Sequence, residues 1–164
     1  TYLLPEAQSD RFMLKCKIGY PELEDERKIM RMVSTSHQPR ISQVISLETV
    51  VEAKKLVNQI YLDEKIEKYI LDMVFATRFP ERYGLAELKN YMSFGASPRA
   101  SINLAIASRA LAFLKNRAFV IPEDVKDIAK DVLRHRIGLS FEAEAEEITS
   151  EEIVDRIIAK IQAP

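Results

Sequence analysis

Two arginines stand where a phosphate partner would explain them. Arg99 follows Ser97, a natural N-cap, and Pro98, a residue preferred at the first helical position. It therefore falls in the first turn of a helix, where the backbone dipole disfavours a cation. Beside a helix N-terminus a guanidinium also strengthens a field already suited to an anion. A nearby carboxylate such as Glu87 would serve as partner too, and both readings stand. Arg11 closes the run Leu4-Pro5-Glu6-Ala7-Gln8-Ser9-Asp10 and opens the clearest strand signal in the chain. Other chemistries lack their residues. Glycines stand singly at Gly19, Gly84, Gly95 and Gly138, with no Gly-Lys pair to build a phosphate-cradling loop. Ile60-Tyr61-Leu62-Asp63-Glu64 has the form of an apolar strand ending in magnesium-binding carboxylates, but helical periodicity continues through Glu64 and makes Asp63 a cap. Nothing places Cys16 and His135 together as nucleophile and base, so a buried strand cysteine is the simpler reading. Cys16, His37 and His135 do not add up to an ordinary zinc site.

The elements that must position the arginines are mostly helical. Phe12, Leu14, Cys16 and Ile18 alternate with Arg11, Lys15 and Lys17, which predicts an edge strand over Arg11–Ile18. No comparable run lies nearby to pair with it. After Gly19-Tyr20-Pro21 the period becomes helical over 22–33. A loop follows at 34–46, with a short extended piece expected at 43–45. Leu47, Val50, Val51, Lys54 and Val57 trace the next face, and Asp63 caps a helix over 64–77. Residues 78–94 read as irregular, with one or two turns at 85–91. The helix from Ser97 to about Asn116 is apolar nearly all round and is expected to be buried and central. Phe119-Val120-Ile121 is expected to be extended and to form a small ribbon with 137–141. Pro122 opens another helix, and Thr149 or Ser150 caps the last, striped by Ile153, Val154, Ile157, Ile158 and Ile161. The result is one strand, a hinge and a bundle of five to seven helices: a mainly α fold with a small β ribbon.

Composition narrows the function classes. The 164 residues are 47% hydrophobic, which is ample for a core. Twenty-four Lys and Arg nearly cancel 25 Asp and Glu, so the net charge of −1 argues against a nucleic-acid partner held by phosphate attraction. A single cysteine excludes an internal disulfide framework and fits a reducing, cytoplasmic setting. No apolar run is long enough to insert in a membrane. Arg134-His135-Arg136 reads as a solvated helix end favourable to cations, and Glu142–Glu147 as a solvated acidic surface.

Family resemblance changes the weight of the two arginines. Tyr2-Leu3-Leu4-Pro5-Glu6-Ala7-Gln8-Ser9-Asp10-Arg11-Phe12 resembles the segment after the sensor 1 strand of MoxR-family AAA+ ATPases, which ends in the arginine finger and the last core strand. Gly95-Ala96-Ser97-Pro98-Arg99-Ala100 is similar to that family's sensor 2 motif. Val132-Leu133-Arg134-His135-Arg136 and Phe141-Glu142-Ala143-Glu144-Ala145 resemble its C-terminal signature. The resemblance covers essentially the whole chain. It implies residues 1–19 as the tail of the α/β core, with an orphan strand, and 20–164 as a helical lid domain carrying sensor 2. It further implies a C-terminal fragment lacking Walker A, Walker B and sensor 1, so ATP and Mg belong to the full-length protein and neither is expected to bind this piece. In those terms Arg11 is the catalytic finger reaching a neighbouring subunit's γ-phosphate. Arg99 would contact the nucleotide and couple lid angle to hydrolysis, and Tyr20 and Pro21 would lie near the adenine. Implied partners are other copies in a ring, von Willebrand factor A-type domain proteins and client enzyme complexes. The implied activity is chaperone-like remodelling. A free-standing helical adaptor, and a winged-helix nucleic-acid binder with 119–141 as its wing, are the alternatives.

Overall fold

The computed structural model describes residues 4–34 and 41–164. A single turn, α1 (Glu6–Ser9), is followed by turns over 10–13 and irregular chain to residue 22, then by α2 (Leu23–Ser34) and α3 (Leu47–Val57). Then come α4 (Glu64–Ala76), two 3-10 turns at Pro80–Tyr83 and Ala86–Tyr91, and strand β1 (Met92–Phe94). The chain continues with α5 (Pro98–Leu114), α6 (Pro122–Leu133), β2 (Gly138–Leu139), α7 (Phe141–Ala145) and α8 (Ser150–Lys160). No helix among the described residues is long and apolar enough to cross a membrane.

Helix starts are set by short polar side chains that accept the otherwise unpaired first amides. Asp63 accepts from the Lys65 amide at 2.9 Å, confirming a cap rather than a strand-end carboxylate pair. Ser97 accepts from the Arg99 amide at 3.1 Å with Pro98 at the first helical position. Thr149 and Glu152 form a reciprocal capping box at the start of α8. In α6 the cap is a buried carboxylate. Asp124 accepts from the Ile121 amide at 3.1 Å and is bound by Arg117 and Lys115.

The core lies where α4, α5, α6 and α8 meet. Tyr69, Met73 and Val74 of α4 pack with Leu104 of α5, Val125, Val132 and Leu133 of α6, and Ile153 and Ile157 of α8. Gly95 lets the loop before α5 close on α4: a Cβ there would sit 2.2 Å from the Thr77 carbonyl oxygen. The contact is locked by Thr77 Oγ1 accepting from the Ala96 amide at 2.9 Å, and by Arg78 Nε donating to the Ala96 carbonyl at 2.6 Å.

Four expectations are corrected. Residues 11–18 form no strand. With no sheet partner among the described residues, several of their carbonyls are taken up by arginine and histidine side chains of the lid. The 43–45 piece carries no strand either, and residues 35–40 of that loop lie outside the described residues. The ribbon has other partners than expected: β1 pairs antiparallel with β2, Met92 opposite Leu139 and Phe94 opposite Gly138. Gly138 makes this pairing possible, since a Cβ would stand 2.1 Å from the Phe94 ring. Phe119 instead bridges Tyr61 in parallel, so 119–141 forms no wing and the nucleic-acid reading loses its support. Finally, α5 is buried on one side only. Leu104 is fully buried, whereas Ile102 is 57% exposed and Leu114 74% exposed. On that outer side α3 leans on α5, leaving an apolar groove of about 480 Å³ between Val50, Val57, Ile106 and Phe113. Every residue of α2 is exposed.

Candidate functional site

The cap of α5 does two jobs. While Ser97 Oγ accepts from the Arg99 amide, its hydroxyl donates to the Asp10 carboxylate, 2.9 Å from both oxygens. Arg99 Nη1 donates to Asp10 Oδ2 at 3.1 Å, and Arg136 Nε donates to Asp10 Oδ1 at 3.1 Å. One carboxylate thus gathers the start of α5, the candidate Arg99 and a buried arginine from beyond the end of α6. Burial alone would push the Asp10 carboxyl up. The hydrogen bonds from Ser97, Arg99 and Arg136, with the Arg136 charge, outweigh that and hold it below the usual carboxylate range.

Arg136 is 2% exposed, so its guanidinium must find partners for its donors inside the protein. Beyond the Asp10 carboxylate it donates to the carbonyls of Asp10 (3.0 Å), Phe12, Met13 (3.2 Å) and Val132. Its neighbours act alike. His135 Nε2 lies 3.0 Å from the Phe12 carbonyl, which it can meet only as a donor. Arg134 Nη1 donates to the Lys15 carbonyl at 2.6 Å, and the Lys15 amide donates to the Asp131 carbonyl at 2.8 Å. Arg134–Arg136 is therefore no solvated helix end; it is the dock for residues 10–15.

Arg11 sits in the middle of this docked stretch with its own side chain exposed. Among the described residues that side chain makes no hydrogen bond or ion pair; its amide donates to the Gln8 carbonyl at 3.2 Å. Arg99 is about half exposed and its partner is Asp10, the residue preceding Arg11, instead of Glu87. The structure so brings together Arg99 and the Arg11 segment. It does not bring Tyr20 and Pro21 to them: Tyr20 is wholly exposed, Pro21 is exposed, and neither lines the cavity of about 250 Å³ beside Asp10, Ser97, His135 and Arg136. Cys16 is exposed, not the buried strand cysteine expected, and His135 is engaged with Phe12, so the two form no pair.

Two residues of the candidate site, Asp10 and Arg136, stand in motifs the sequence offers but receive no site role there. The usable signal for Arg136 is Ile137 after it and Val132-Leu133 before it, an apolar frame around a charged run. For a nucleotide the fit is partial. Arg11 and Arg99 offer permanent positive charge to phosphate oxygens. Among the described residues no group of three His, Cys, Asp or Glu side chains could hold a metal ion.

Comparison with known proteins completes the picture. Residues 86–157, which hold β1, α5, α6, β2, α7 and most of α8, match the family described as AAA lid domain. "Chaperone MoxR1" of Mycobacterium tuberculosis is 38% identical over 99% of this chain and 43% of its own length. "Protein MoxR" of Paracoccus denitrificans is 28% identical over the whole chain and 52% of its own length. A crystal structure from Cytophaga hutchinsonii ATCC 33406, provisionally described as an ATPase, superposes over 99% of this chain and 50% of its own length with a TM-score of 0.94 and 44% identity. The chain spans about half the length of the relatives it matches. With an AAA lid match over 86–157 and likeness to MoxR proteins from end to end, the chain is similar to about half of a MoxR-type AAA+ ATPase.

Proposed function

We propose that this chain is the C-terminal part of a MoxR-type ATPase, in which it supplies arginines to ATP hydrolysis and turns nucleotide state into lid movement. The observation that carries the reading is the Arg99–Asp10 pair, which puts the guanidinium of the lid helix beside the residue that precedes Arg11. In the full-length protein ATP would supply the phosphoryl group to be transferred and Mg would offset its negative charge, with Arg11 and Arg99 as the residues here that would face the phosphates. This chain's part is to offer charge. Arg11, exposed and with no partner side chain among the described residues, and Arg99, half exposed on one carboxylate, both suit charge developing on phosphoryl oxygens.

Because Arg99 rests on the carboxylate of the residue that precedes Arg11, we read the two arginines as acting on one nucleotide. If Arg11 reaches across a ring boundary, Arg99 is delivered to that boundary with it. The test is a mixed ring of the full-length protein. Arg11→Ala should lower kcat by about 10³–10⁵-fold with nucleotide affinity nearly intact. Rings mixed with a subunit that has a dead phosphate loop but intact arginines should regain hydrolysis. Arg99→Ala should be rescued in the same way. Failure of Arg11→Ala rings to recover, in rings shown to be mixed, would sink the reading for both residues; rescue of Arg11→Ala alone would return Arg99 to its own subunit's nucleotide.

In the assembled protein this cycle would drive chaperone-like remodelling of client complexes in the cytoplasm, with von Willebrand factor A-type proteins as the partner class. One relative's name, "Chaperone MoxR1", supports the chaperone part. A free-standing adaptor accounts less well for the structure. It gives no reason for a cation left exposed in a segment where the carbonyls of Asp10, Phe12, Met13 and Lys15 are all held.

A further inference from the structure

We infer that Arg136 is a positioning residue that makes the Arg11 segment and the lid a single rigid body, so that any rotation of the lid carries Arg11 with it. The inference rests on the proposed role of Arg11 and adds the part that sets its position. The bonds of Arg136 bracket Arg11 from both sides. Donors of one guanidinium reach the carbonyl and carboxylate of Asp10 immediately before it and the carbonyls of Phe12 and Met13 immediately after it. The same guanidinium is anchored on the α6 carbonyl of Val132. It holds the backbone on either side of Arg11 and leaves the side chain of Arg11 free.

Three features argue for positioning beyond mere stability. A buried cation is costly unless it is fully bonded, and a well-packed apolar residue commonly replaces one without loss of stability. A backbone stretch in need of partners could be met by amides of a neighbouring strand; here side chains of three consecutive residues meet it, Arg134 at Lys15, His135 at Phe12 and Arg136 at 10, 12 and 13. Third, the carboxylate that Arg136 holds is the one on which Arg99 rests. Both arginines of the proposed site are thus referred to one buried guanidinium. A fork with five donors in fixed directions can do this, and a lysine ammonium cannot.

The test uses the full-length ATPase with Arg136→Lys, which keeps the charge and loses the fork. The expected result is a fall in kcat of about 10²-fold, the scale of an ångström-sized misplacement. Nucleotide affinity should stay within about twofold, since only reaction-state interactions are lost. Mixing with the intact-arginine, dead-loop subunit should restore hydrolysis, and amide exchange at residues 12–15 should quicken while that of Leu104, Val125 and Ile153 stays slow. An unchanged kcat overturns the inference. So does loss of nucleotide binding and core protection together with no rescue, because that is a purely structural effect. If Arg136→Lys fails to assemble, Asp10→Asn leaves the carbonyl grips in place and should show the same split with a smaller fall; no fall there also overturns it. Arg11→Ala run alongside separates the two ideas. An Arg11→Ala protein with full activity sinks the proposed function, whereas an inactive Arg11→Ala beside a fully active Arg136→Lys sinks only the coupling.

Discussion

Asp10 and His135 face the same docked segment and titrate in different windows. The Asp10 carboxyl is held low by Ser97, Arg99 and Arg136 against the opposing pull of its burial. A group lowered in the folded state contributes stability above its unfolded value, about 3.9 for aspartate, and loses it as pH falls further. His135 is lowered chiefly by burial, with the charges of Arg136 and Lys15 adding to it and the Phe12 carbonyl and Asp10 opposing. Its Nδ1 is buried with no hydrogen-bond partner among the described residues, so protonation there puts an unpaired donor inside the protein. Below the ordinary imidazole value of about 6.5 the undocked state takes up a proton that the docked state refuses, and docking weakens until the lowered value is passed. Protection of the Lys15 amide, measured against its intrinsic exchange rate at each pH, should therefore fall in two steps as pH falls, one beginning near 6.5 and one below about 4. His135→Gln, which keeps a donor for Phe12, should remove the upper step and keep the lower. A single step near 4 in the unaltered protein would contradict this account of His135.

Among the elements, α5 shows what a sequence discloses and what it hides. Its start was legible because capping is local: Ser97 and Pro98 lie within two residues of the amides they serve. Asp63 and Thr149 were legible for the same reason. Its surroundings were not, since an all-apolar helix says nothing about whether a neighbour covers each side. Leu104 is fully buried and Ile102 is mostly exposed although both are apolar and two residues apart. Leu104→Ala should cost about 2–5 kcal/mol in chemical denaturation, as a core truncation does. Ile102→Lys should stay within about 0.5 kcal/mol, as surface substitutions do. Equal losses would mean that the outer side of α5 is covered in solution. The ribbon partner and the dock were illegible on the same ground. Whether 138–139 meets 92–94 or 119–121, and whether Arg136 is wet or dry, depends on chain far away in sequence.

On the scale of the whole molecule, the lid core is built from 60–161 and the candidate site is completed by residues 10–15 folding back onto it. The bonds that dock this segment span 119 residues from Lys15 to Arg134 and 126 from Asp10 to Arg136. Contacts so distant form late, after α6 and its neighbours exist to receive them. A chain cut after Leu133 should accordingly leave 10–15 unprotected in hydrogen exchange, and protection of that segment in the shortened chain would refute the order. For a protein made from its N-terminus, the separation becomes a delay. At about 5–20 residues per second, roughly 6–25 seconds pass between synthesis of residue 10 and of Arg136. Arg11 is translated well before Arg136 but is set in place only once that buried arginine has arrived. If Arg11 acts across a ring boundary as proposed, a subunit with an unfinished lid would present no ordered arginine to its neighbour, and the order of synthesis itself would disfavour premature hydrolysis.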